Sequence, residues 1–158
     1  MRTATVELYQ FNELSDEAKE RAREWWRENL DYPWWSDAKA SILEFCGHFG
    51  VMVQEYSIGA FEPAWMETNA ANENFRGIKL KAINREAMPT GYCLDCTLWQ
   101  TFYDEFKRTG SALYAFNEAI DAAVKGVRED MEYQYSDESV DEMLTINEYE
   151  FTENGKIY

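Results

Sequence analysis

One histidine and three cysteines are all the imidazole and thiol that this chain of 158 residues contains. A single His, with no Ser or Cys nucleophile placed beside it, supplies no nucleophilic triad. No P-loop, no G-x-G-x-x-G and no H-E-x-x-H occurs, so the common nucleotide and zinc-protease signatures are missing. A hydrolase-type carboxylate pair has many candidates among 30 acids, but no feature selects one. The inventory therefore predicts a protein that is not an enzyme and that takes no cofactor. Three cysteines are an odd number, which argues against a secreted disulfide framework and suits a reducing compartment. No apolar run approaches the roughly 18 residues of a membrane span, and Met1-Arg2-Thr3 opens no hydrophobic signal segment. The expectation is a cytoplasmic protein without a membrane partner. Base is scarce as well: 15 Lys and Arg face 30 Asp and Glu, a formal charge of −15. Nucleic-acid affinity rests on cations that neutralise phosphates, so direct nucleic-acid binding is not expected. A basic protein surface is the favoured partner.

Hydrophobic residues make up 46% of the chain and aromatic residues 16%, which suits a packed core rather than disorder. The apolar surface sits in large rings, which bury much area per residue. No linker, internal repeat or low-complexity tract interrupts the chain, so a single acidic domain spanning residues 1–158 is expected. Its class reads as α+β, with a small antiparallel sheet of about three to five strands and about four or five helices. Alternation predicts a strand over residues 3–9, with Thr5, Glu7 and Tyr9 on one side. Ser15 then caps a helix bearing Ala18, Ala22 and Trp25 at helical spacing. Ser36 reads as the cap of a second helix, whose buried stripe is Ile42, Phe45, Cys46 and Phe49. Residues 51–58 read as a strand and 59–76 as irregular; 75–83 and 92–98 could both be strands, with Phe102, Tyr103 and Phe106 favouring a helix directly after the second that Gly110 stops. Ser111 opens the clearest helix, with Leu113, Phe116, Ile120, Ala123, Val127 and Met131 in period. Ser136 caps a last helix. Residues 148–152 alternate as a strand into Asn154-Gly155, a strong tight-turn signal.

Charge is unevenly distributed. Residues 129–155 carry ten acids, namely Glu129, Asp130, Glu132, Asp137, Glu138, Asp141, Glu142, Glu148, Glu150 and Glu153, and no base. Carboxylates spread over a helix and a strand can resemble the phosphates of a duplex and enter a basic groove. These ten are the candidate partner-binding residues; the plainer alternative is a solvated acidic face. A candidate metal set is Cys46, His48, Cys93 and Cys96, three thiols and the one imidazole in C-x-H and C-x-x-C spacing. Against it stands the reading of structural thiols, because Cys46 lies on an apolar stripe. Two aromatic groups, Trp25-Trp26 with Tyr32 to Trp35, and Phe61-Glu62-Pro63-Ala64-Trp65, could hold a sugar or a cation, or could simply pack.

The opening Val6-Glu7-Leu8-Tyr9-Gln10-Phe11-Asn12-Glu13-Leu14-Ser15-Asp16-Glu17-Ala18-Lys19 resembles the start of a family of small acidic proteins of phages and prophages. The closing Asn147-Glu148-Tyr149-Glu150-Phe151-Thr152-Glu153-Asn154-Gly155-Lys156 is similar to that family's end. Its members are often labelled antitoxins of toxin–antitoxin systems. The resemblance implies a phage or mobile-element accessory protein acting in a bacterial cytoplasm, and it carries over no site residues. Size, charge and lack of catalytic residues then suggest an inhibitor of anti-CRISPR or anti-restriction type. It would bind the basic surface of a host nucleic-acid-handling defence complex. The alternatives are an antitoxin that binds a basic toxin protein and a zinc-stabilised structural module.

Overall fold

The computed structural model describes residues 1–158. The chain is α+β, with five α-helices and two antiparallel ribbons of two strands each. In order these are β1 (Tyr9–Gln10), α1 (Asp16–Glu28), α2 (Trp35–His48), β2 (Val53–Ser57), β3 (Trp65–Thr68), α3 (Leu94–Thr109), α4 (Ala112–Gln134), α5 (Asp137–Ile146) and β4 (Glu150–Phe151). The four strands thus form two separate pairs, β1–β4 and β2–β3, and no single sheet. No helix is long and apolar enough to cross a membrane. The chain divides into two compact units, Met1–Tyr32 with Glu132–Tyr158, and Pro33–Met131.

The first unit is built on α1 and α5. Ser15 Oγ accepts the Ala18 amide at 3.2 Å, and Ser136 Oγ accepts the Ser139 amide at the same distance. Each serine satisfies an amide that the helix itself leaves without a partner. Asp16 and Glu17 occupy the first turn of α1, and Asp137 and Glu138 that of α5, where the helix dipole favours acids. Ala18 and Ala22 of α1, Val140 and Leu144 of α5, and Phe11, Leu14 and Phe151 form the buried core. Trp25 and Trp26 both reach Tyr149 at the edge of this core, with ring centroids 5.4 and 6.0 Å apart.

The strand expected over residues 3–9 is absent up to Leu8, and residues 1–7 are exposed. Its partner β4 is two residues long and pairs only Tyr9 with Phe151 and Gln10 with Glu150. Alternation without a partner strand leaves the earlier residues unpaired. The Asn154-Gly155 turn forms as expected, returning Ile157 beside Phe151. Gly155 sits at φ 84° against α1, where a Cβ would collide with the backbone carbonyl of Ala18. Only glycine meets both demands.

The second unit has an aromatic core. Phe45 of α2 stacks on Phe116 of α4 at 5.2 Å and meets Phe49, Trp99 and Phe102 edge-on. Edge-on and offset contacts suit the quadrupoles of the rings. The expected stripe of α2 and the middle of that of α4 are buried here, including Ile42, Cys46, Phe49, Ile120, Ala123 and Val127, while Leu113 and Met131 at its ends are half-buried. Helix α2 begins at Trp35 without a side-chain cap, one residue before the expected Ser36. Residues 92–98, read as a strand, instead open α3. Leu94, Leu98 and Phe102 are buried at four-residue spacing, with Asp95 and Trp99 beside them. The helical period overrides the β-prone residues. Gly110 ends α3 at φ 74°, a left-handed terminus for which glycine is suited. Residues 75–83 are not a strand either; they hold turns and a short 3-10 segment, Leu80–Ala82. Within the stretch expected to be irregular, Trp65–Thr68 is a strand.

Candidate functional site

The ten acids of residues 129–155 fall in different environments. Glu129 and Asp130 belong to α4 in the second unit, and the other eight lie in the first. Helix α5 sorts its own acids by angle, because residues four apart share a face and adjacent ones do not. Val140 and Leu144 face the core. Asp137 and Asp141 face the arginines of α1. Arg23 grips Asp141 bidentately, Nε–Oδ1 at 2.7 Å and Nη2–Oδ2 at 2.9 Å. Arg27 donates to Asp137 and to the backbone carbonyl of Tyr135. Glu20 accepts from Arg23 at 3.0 Å and lies 3.6 Å from Arg27, closing a network of five charges. Hydrogen bonding to Asp141 raises the Arg23 pKa above its ordinary value. The Arg27 guanidinium likewise holds the Asp137 carboxyl below its usual range.

Glu138 and Glu142 occupy the remaining face of α5, exposed and without ion-pair partners. Glu148, Glu150 and Glu153 follow on the connection to β4, on β4 itself and on the turn, and are likewise exposed and unpaired. Glu148 adopts φ 52°, a left-handed conformation that a residue with a side chain enters at a cost. Glu129 is 3.8 Å from Lys125, one turn away on an exposed face. The ten candidate partner-binding acids therefore do not share one environment. Asp137 and Asp141 are structural ion-pair partners of α1, and Glu138, Glu142, Glu148, Glu150 and Glu153 form the solvent-facing set. The pairing had a signal in the sequence: Arg23 and Arg27 on α1 match the four-residue spacing of Asp137 and Asp141.

The four candidate metal ligands are not brought together. No three His, Cys, Asp or Glu side chains converge to hold an ion. Cys46 is buried on the core stripe of α2, and burial pushes its thiol pKa up to about 12. A thiol so disfavoured as thiolate is a poor metal ligand. His48 lies edge-on to Phe49 and Trp99, Cys93 is exposed, and Cys96 donates to Met88 Sδ at 3.0 Å. A C-x-H segment on one helix and a C-x-x-C on another gave spacing without convergence.

The two aromatic groups have different fates. Trp25 and Trp26 pack on Tyr149 in the first unit. In the second, Trp34 stacks on Tyr92 and Trp35 meets Tyr56, whereas Phe61 and Trp65 are 70% and 45% exposed.

A buried carboxylate escaped the sequence reading altogether. Asp95, wholly buried in the first turn of α3, accepts on Oδ2 from the Thr90 amide at 2.9 Å, the Thr90 hydroxyl at 2.8 Å and the Gly91 amide at 3.1 Å. The Thr90 hydroxyl also lies 3.0 Å from Ser41 Oγ of α2. These bonds staple the loop before α3 to two helices. Comparison with protein-family models, curated proteins and solved structures gives no match to this chain.

Proposed function

We propose that this protein is a stoichiometric inhibitor of a host nucleic-acid-handling defence complex, of anti-CRISPR or anti-restriction type. It would be carried by a phage or mobile element and act in the bacterial cytoplasm. Its nucleic-acid-mimicking surface consists of Glu138, Glu142, Glu148, Glu150 and Glu153. The observation that carries the reading is the division of labour on α5. Asp137 and Asp141 are ion-paired with α1, Asp137 while still exposed, and Glu138 and Glu142 stand in solvent without an ion-pair partner; residues 129–155 hold no Lys or Arg. An uncompensated carboxylate array repels nucleic acid and attracts the basic groove that normally holds it. The strained backbone at Glu148 supports the same reading, because strain gathers where a side chain must be held in place.

The test is transformation of bacteria that carry an active RNA-guided or restriction system with a plasmid the system attacks. Co-expressed parent protein should restore transformants, and the five-fold Glu→Gln variant at positions 138, 142, 148, 150 and 153 should not. Equal rescue by the two proteins would exclude the carboxylates as the contact surface. An antitoxin would instead restore growth in the presence of a basic toxin and leave plasmid attack unchanged.

A further inference from the structure

Four of the thirteen large hydrophobic side chains that the molecule exposes, Met52, Tyr56, Phe61 and Trp65, fall within residues 52–65 of the second unit. This segment holds β2, the connection that follows it and the first residue of β3. A two-stranded ribbon is marginal on its own, and exposed aromatic rings are enriched where proteins meet partners. At the connection Phe61 has φ 62°, a conformation costly for a bulky residue, while its ring stays 70% exposed.

The register assigns the faces. Glu55 pairs with Glu67 and Ser57 with Trp65, so Trp65, Glu67 and Glu55 project from one face. Tyr56, opposite Met66, projects from the other and meets Trp35. Like charges directly opposite each other destabilise a ribbon, and neither glutamate has an ion-pair partner. The surrounding sequence offers no relief, because residues 40–75 hold five acids, Glu44, Glu55, Glu62, Glu67 and Glu73, and no Lys or Arg.

We propose that this ribbon face, with Trp65, Glu55 and Glu67, docks an arginine-bearing segment of a protein partner. A guanidinium is planar, stacks on an indole and donates in pairs to carboxylates, which an ammonium cannot do. Arginine would relieve the repulsion between the glutamates and cover the exposed ring together. The inference is independent of the reading of residues 138–153, which belong to the first unit.

The probe is a short fluorescent peptide alternating arginine and glycine, titrated at physiological salt against its lysine counterpart. The parent should prefer the arginine peptide, and Trp65→Ala should weaken it by about fivefold, the scale of one cation–π contact. The double variant Glu55→Gln with Glu67→Gln, which keeps shape and removes the repulsion, should leave the fold intact and also weaken binding. The five-fold Glu→Gln variant at 138–153 should bind as the parent does. Equal affinity for both peptides would overturn the proposal, as would undiminished binding by the double variant. Concentration-dependent dimers abolished by Trp65→Ala would also overturn it, since the face would then be an interface between copies of this chain.

Discussion

Asp141 is held by Arg23 through two short hydrogen bonds, while its neighbour Glu142 projects into solvent without a partner. Two adjacent carboxylates on one helix therefore have opposite consequences when neutralised. Asp141→Asn should destabilise the fold by about 1 kcal/mol, because it removes the bidentate charge partner of a half-buried guanidinium and leaves it Glu20 alone. Glu142→Gln should leave the unfolding midpoint unchanged or raise it slightly through relieved repulsion. Urea unfolding of both variants checks the pair, and equal midpoints would mean that the Arg23 contact contributes nothing. Asp137 adds a pH signature. A carboxyl whose folded pKa is lowered gives stability fully present above its unfolded value of 3.8, lost as pH falls through the folded one. The stability gap between the parent and Asp137→Asn should therefore hold from neutral pH to about 4 and close below it. A gap that persists in strong acid would show that the asparagine acts through packing and not through charge.

Elements with one strong periodic stripe could be read directly, and those that depend on a distant partner could not. Helix α4 announces itself because Phe116, Ile120, Ala123 and Val127 recur over many turns, and all are buried. Ile120→Ala should cost roughly 2–5 kcal/mol, the range for emptying a packed aliphatic site, and a calorimetric scan that shows no shift would refute the burial. The serine caps at 15, 111 and 136 were equally legible, since capping needs only local chemistry. The helix ending at Gly110 was legible from Phe102, Tyr103 and Phe106, but its first turns were not, because Tyr92, Cys93 and Leu94 suggest a strand, and the Asp95 bonds to Thr90 and Gly91 that fix its start leave no local mark. The alternation of residues 3–9 misled for the converse reason, because no strand lies beside the residues before Tyr9. At the site, composition revealed the acidic segment but not its division. Which acids face α1 depends on how α5 packs, and that is a tertiary fact.

At the scale of the molecule, 30 acids stand against 15 bases, and internal pairing makes the imbalance sharper in the first unit. Arg23 and Arg27 are spent on Glu20, Asp137 and Asp141, so they do not offset the exposed set. The purified protein should leave duplex DNA and RNA unretarded in a low-salt gel shift, and a retarded band would contradict the electrostatic argument. The central claim is that Glu138, Glu142, Glu148, Glu150 and Glu153 occupy a basic nucleic-acid groove. Its most direct test is affinity capture from a nuclease-treated bacterial lysate, with the parent and the five-fold Glu→Gln variant run side by side and then eluted with duplex DNA. The parent should retain a nucleic-acid-binding protein that the variant does not, and the duplex should displace it because both ligands compete for one groove. Retention of the same proteins by both baits, or a captured protein that DNA does not release, would contradict the claim.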